Sequence, residues 1–127
     1  MKLGKLQTAW VEALEANPEQ QLIGSMGTLD EDGNEKYCCL GKASCIIHGK
    51  SMITKKGLFD SRRNNRGSMT EKDRKAIGLR DRYGSFTDAF NIKGKYSLVS
   101  LNDKLYTWPQ IAKFIRENPE KVFTKSV

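Results

Sequence analysis

The dipeptide Asn-Pro occurs twice, at Asn17-Pro18 and Asn118-Pro119, and each time it follows a stretch with helical apolar spacing. Proline disfavours the helical conformation of its predecessor, so each pair is a helix stop. In the first stretch Leu3, Leu6, Trp10 and Leu14, with Ala13, recur at helical spacing, which predicts an amphipathic helix over roughly Lys5 to Ala16. In the second, Trp108, Ile111, Ala112 and Ile115 form the apolar stripe. Thr107 is its cap and Gln110 stands at the third helical position, a capping box, with Pro109 tolerated in the first turn. At 127 residues the chain is expected to form one domain, 1–127, able to bury a core without staples. The "NPE" shared by both helix ends is too short to count as a repeat.

Between the two helices, "QLIGSMGTLDEDGNEKYC" reads as two extended segments around "DEDGN", where Asp32-Gly33 supplies the positive-φ position. Gly24 and Gly27 weaken the first segment and suggest a bulge. Cys38 to Ile47 reads as a short buried helix, although a strand fits so short an apolar run. "GKSMITKKGLFDSRRNNRGS" is expected to be a long basic loop, at about 50–68, with a short strand at Ser51–Thr54. In "TEKDRKAIG", Thr70 caps a helix, acids precede bases along its dipole and Gly78 closes it. The expected fold is therefore α+β: a small single domain with amphipathic N- and C-terminal helices plus central helices packed on a small antiparallel β-hairpin or sheet. Its expected core is Trp10, Leu14, Cys39, Leu40, Ile47, Leu79, Leu101, Ile111 and Ile115.

The order "WVEAL", "YCCLG…C" (Cys38, Cys39, Gly41, Cys45), "AIGL", "LVSLND" (Leu98 to Asp103) and "TWPQIAKFI" resembles a family of small uncharacterised bacteriophage proteins. Those carry a tryptophan helix, a "CCLG" segment, a "lGL" helix end, and "LND" followed by "(S/T)F-x-x-I-A-x-x-I". The match spans most of the chain, with Lys50–Asn65 and Arg80–Lys95 falling where such proteins vary. Leu105 stands where glycine is usual, Trp108 replaces phenylalanine, and Lys42 replaces an apolar residue. The resemblance implies a phage-borne accessory protein and transfers no activity.

All three cysteines and the only histidine lie in "YCCLGKASCIIH". An odd count of cysteines points to reduced thiols rather than a disulfide framework. A structural zinc site needs four ligands, usually as spaced pairs, whereas the adjacent Cys38 and Cys39 diverge on helix and strand alike. Cys38, Cys45 and His48 are the only metal candidates, and the favoured reading is core cysteine with His48 as a helix-end residue. A catalytic Cys–His pair lacks an orienting third group. "GKAS" departs from a phosphate-binding loop, and "GSMG" lacks the flanking bases of an RNA clamp. Asn102-Asp103 is read as a pair closing a turn by side-chain bonds to backbone. No catalytic residue and no cofactor is expected, so the chain is not read as an enzyme.

Net charge is +7, and its placement is informative. Eleven of the 22 lysines and arginines but only four of the 15 acids lie between Lys50 and Arg82, which leaves the remainder with eleven of each. Such a block attracts anions. The expected contact residues are Lys55, Lys56, Arg62, Arg63, Arg66, Arg74, Arg80 and Arg82, because arginine's planar fork suits phosphate and carboxylate. Phe59, Tyr83, Phe86 and Phe90 interleave with them and suit stacking on bases or anchoring a protein interface. The first ten residues lack the apolar segment of a signal peptide and no run approaches a membrane span, so a place in host-cell cytoplasm is expected, away from membrane. The preferred partner is a host protein or a nucleic-acid-handling or defence complex, bound as an inhibitor would bind. The alternative is a nucleic-acid module with little sequence preference; a binder of a small phosphorylated signal and a minor virion component come after.

Overall fold

A computed structural model describes residues 1–60, 68–104 and 106–127. The elements run α1 (Lys5–Ala16), a 3-10 turn (Pro18–Gln20), β1 (Gly27–Leu29), β2 (Glu35–Tyr37), α2 (Cys39–His48), α3 (Glu71–Ile77), β3 (Ser85–Ala89), β4 (Ile92–Ser97), α4 (Leu98–Asp103), α5 (Trp108–Glu117) and α6 (Pro119–Val122). This is the α+β arrangement expected, with two separate two-stranded antiparallel sheets, β1–β2 and β3–β4.

The helices begin and end where local chemistry dictates. Thr107 Oγ1 accepts from the Gln110 amide while Gln110 Oε1 accepts from the Thr107 amide, which is the reciprocal cap of α5. Thr70 Oγ1 accepts from the Asp73 amide at the start of α3, and Gly78, at φ +82°, closes that helix in the left-handed conformation. Gly49, at φ +66°, does the same after His48. At the head of α2 the cap is the Cys38 thiol, which accepts from the Gly41 amide at 3.4 Å.

The core gathers around α2, whose Cys39, Leu40, Ala43 and Cys45 are buried between α1, α4 and the β1–β2 hairpin. Gly41 has no room for a side chain: a Cβ there would lie 1.9 Å from the Met26 carbonyl oxygen. Trp10 of α1 packs edge-on against Phe123, centroids 6.1 Å apart, and donates its indole N–H to the Cys39 carbonyl at 2.9 Å. Ile111 and Ile115 of α5 face α1 in the same core. Of the nine expected core residues, Ile47 alone is only half-buried, because the far end of α2 leaves the core before Gly49.

Two expectations need correction. The expected basic loop holds more pairing than the short strand at Ser51–Thr54: Ile53, within that strand, pairs with Phe59, the Thr54 amide donates to the Leu58 carbonyl, and the Asp60 amide donates to the Met52 carbonyl. A small hairpin therefore occupies 52–60; the rest of the expected basic loop, 61–67, lies outside the described residues. Likewise Asn102 does not close a turn between elements. It sits, wholly buried, in the last turn of α4.

Candidate binding surface

The 52–60 hairpin places the first two expected contact residues. The Gly57 amide donates to the Thr54 carbonyl at 2.9 Å, and Gly57 adopts φ +79°, the left-handed residue of a three-residue hairpin loop. Lys55 and Lys56 fill the apex of that loop. Both are exposed, and neither ammonium has a partner among the described residues. The hairpin is buttressed rather than free: the Gly57 carbonyl accepts from the Leu29 amide and from the Thr28 hydroxyl, each at 3.1 Å, and Thr28 pairs with Leu58. This docking puts Leu58, 61% exposed, on the same face as Thr28, while Leu29, 38% exposed, lies on the opposite face over Gly57. Two apex lysines thus precede an exposed leucine, Leu58, on the same hairpin.

The remaining arginines divide. Arg62, Arg63 and Arg66 lie outside the described residues. Arg74, Arg80 and Arg82 are taken up within the fold. Arg74 pairs with Glu71 one turn earlier and donates to the Leu79 carbonyl at 3.3 Å. The Glu71 carboxylate raises the guanidinium's affinity for its proton, and the pairing holds the Glu71 carboxyl below its usual range. Arg80 donates to the carbonyls of Glu120 (2.6 Å) and Lys121 (3.0 Å), satisfying the last turn of α6. Arg82 Nε donates to the Met69 carbonyl at 2.8 Å, fastening the strand entry to the segment before α3. Of the interleaved aromatics, Phe59 and Phe86 are buried in the core, while Tyr83 and Phe90 are exposed. Spacing along the chain carried no sign of where Arg80 and Arg82 are engaged, because their acceptors include backbone carbonyls up to 43 residues away.

The three cysteines are free and buried. Burial pushes the Cys38 thiol up to about 11, against the usual 9.0, and raises Cys39 and Cys45 as well. The Cys39 Sγ lies 3.5 Å from the Leu98 carbonyl oxygen, and Cys38 Sγ lies 3.6 Å from Met26 Sδ. Among the described residues no three His, Cys, Asp or Glu side chains are grouped to hold a metal ion, so the trio of Cys38, Cys45 and His48 does not converge. His48 finds another partner: its Nε2 lies 2.9 Å from Asp73 Oδ1, and Ser44 Oγ donates to Asp73 Oδ2 at 2.9 Å. The carboxylate stands between hydroxyl and imidazole, so Ser44 meets Asp73 rather than His48, an order unlike the Ser-His-Asp relay of a hydrolytic triad. Instead the buried Asp73 ties α3 to α2.

Asn102 is the second polar centre that spacing could not resolve. Its Oδ1 accepts from the Cys39 amide (3.1 Å) and the Trp108 indole (3.0 Å), and its Nδ2 donates to the Leu22 carbonyl at 2.7 Å. Asp103 Oδ1 accepts from the Gly24 amide at 3.1 Å. Every polar atom of the Asn102 side chain is thereby used within the fold. Among the described residues no helix is long and apolar enough to cross a membrane. Compared with protein-family models, with curated proteins and with solved structures, the chain matches none.

Proposed function

We propose that this chain is a phage-encoded accessory protein that works by binding a host protein or nucleic-acid-handling or defence complex in the host cytoplasm. The contact surface is the 52–60 hairpin and the arginine-bearing segment that follows it. The observation that carries this reading is the combination, on one hairpin, of Lys55 and Lys56, exposed and unpaired among the described residues, with exposed Leu58. Lysines that reach an acidic surface steer association and set specificity, while Leu58 supplies burial. A duplex-reading role draws less support, because Arg74, Arg80 and Arg82 are engaged internally and Phe59 and Phe86 are unavailable for stacking.

The test has two arms. In the first, fluorescence anisotropy follows single- and double-stranded DNA and RNA titrated with the protein at low and near-physiological salt. In the second, the tagged protein is used to isolate a stoichiometric complex from a bacterial host. Weak nucleic-acid binding at physiological salt, with a one-to-one protein complex lost in a Lys55→Glu/Lys56→Glu/Leu58→Ser variant, is the expected result. Tight binding to plain DNA or RNA that falls steeply with salt would replace this reading with a nucleic-acid module.

A further inference from the structure

A second surface, sharing no residue with the lysine hairpin, is built on the β3–β4 turn. Ala89 pairs with Ile92, and the two residues between them, Phe90 and Asn91, have φ of +54° and +61°. Positive φ at both central positions is the requirement of a type I′ turn, which ordinarily selects asparagine and glycine. A phenylalanine in that conformation is strained, and something must hold it there. The ring is held by stacking: its centroid lies 5.1 Å from Tyr106 at an interplanar angle of 20°, and 5.3 Å from Phe114 at 36°. The stack forms the floor of a groove of about 780 Å³ between the turn and α5.

Phe90, 42% exposed and also met edge-on by Tyr96 at 6.1 Å, offers aromatic surface to this groove. Ile92, 64% exposed, adds aliphatic surface on the same side. The rim carries Lys93, Lys113 and Lys121 against Asp88 and Glu117, and the Asp88 Oδ1 already accepts from the Gly94 amide at 3.0 Å. Glu117 is the one rim acid without an internal bond among the described residues. Lys121 donates to the Asp88 carbonyl, which leaves Lys93 and Lys113 as the rim bases without an internal bond among the described residues; with the apolar floor they are complementary to carboxylates flanking an apolar side chain.

We propose that this groove receives an acidic peptide segment of a partner protein, anchored by an aromatic or leucine side chain against Phe90 and Ile92 and flanked by carboxylates that meet Lys93 and Lys113. The strained turn is then the device that presents Phe90 to the groove. The site stands independently of the hairpin surface, and either can fail alone.

Amide NMR titrations of the full chain with three probes test it: a synthetic peptide of glutamates interspersed with phenylalanine and leucine, its lysine counterpart, and oligo(dT). The glutamate peptide is expected to move the amides of Phe90, Ile92, Gln110 and Lys113, and the lysine peptide to leave them in place. Lys113→Glu and Ile92→Ser, both at exposed positions, should each weaken binding roughly five- to tenfold without changing the melting temperature. The proposal is overturned if no groove amide moves, if the lysine peptide moves them equally, or if oligo(dT) moves them at the same concentration. Shifts confined to the Lys55–Lys56 hairpin would also overturn it, while leaving the other surface standing.

Discussion

A cysteine in an apolar interior is held as the neutral thiol, because ionising it would place charge where no water can solvate it. Cys38 and Cys39 meet that condition fully, and Cys45 largely. Their pKa values are raised in the folded chain, so the folded state keeps protons that the unfolded state releases. Stability from these groups is complete below the unfolded value near 9 and is lost as pH rises towards the folded values, about 11 for Cys38. Under reducing conditions the urea midpoint should therefore fall between pH 8 and pH 10.5, by an amount equivalent to about 2–4 kcal/mol. A Cys39→Ala variant should show a shallower fall. A flat profile would mean that the thiols ionise in the fold as readily as in the open chain. The burial itself was legible in the sequence, since these residues flank Leu40, Ile46 and Ile47. That Cys38 serves as a helix cap was not, because thiols rarely take that place.

At the scale of elements, the joint between α2, α4 and α5 turns on one amide. Asn102 belongs to α4, yet it completes the first turn of α2 through the Cys39 amide and anchors Trp108 at the start of α5. Removing the side chain leaves two buried donors and the Leu22 carbonyl without partners, each costing about 1–3 kcal/mol. Asn102→Ala is expected to lower unfolding free energy by about 2–4 kcal/mol, partly offset where water enters the gap. Urea denaturation measures it, and a loss under about 1 kcal/mol would deny the amide this role. Helices α1, α3 and α5 were readable from caps and apolar stripes, which are local, whereas α4 and α6 were not expected. The β3–β4 hairpin was not: its turn is Phe90-Asn91, without the glycine that marks a type I′ turn, and β4 carries the polar run Lys93, Gly94, Lys95. The partners that make it stable, Tyr106 and Phe114, arrive from later in the chain. The same limit applied to the site. The lysines could be named from charge alone, but the fold decided which basic groups remain free.

The molecule as a whole is closed by its last residues. The Val127 carbonyl oxygen accepts from the Leu6 and Gln7 amides, two of the donors that the first turn of α1 cannot satisfy internally. Gly4 permits this approach, since a Cβ there would lie 2.3 Å from that oxygen. Gln7, fully buried, accepts from the Gly4 amide and donates to the carbonyls of Ile77 and Lys125. Alongside, Thr124 donates to the Gly78 carbonyl and Phe123 pairs with Leu79. The start of α1, the end of α3 and residues 123–127 thus form one seam. Deleting Lys125–Val127 should lower stability by about 2–3 kcal/mol, because the Leu6, Gln7 and Gln7 Nε2 donors lose acceptors while water restores only the exposed part. Hydrogen exchange should quicken in the first turn of α1 and at Gly78, while β3–β4, which the seam does not touch, keeps its protection. Uniform acceleration at both places would instead mean that the domain opens as one unit, with no separable seam.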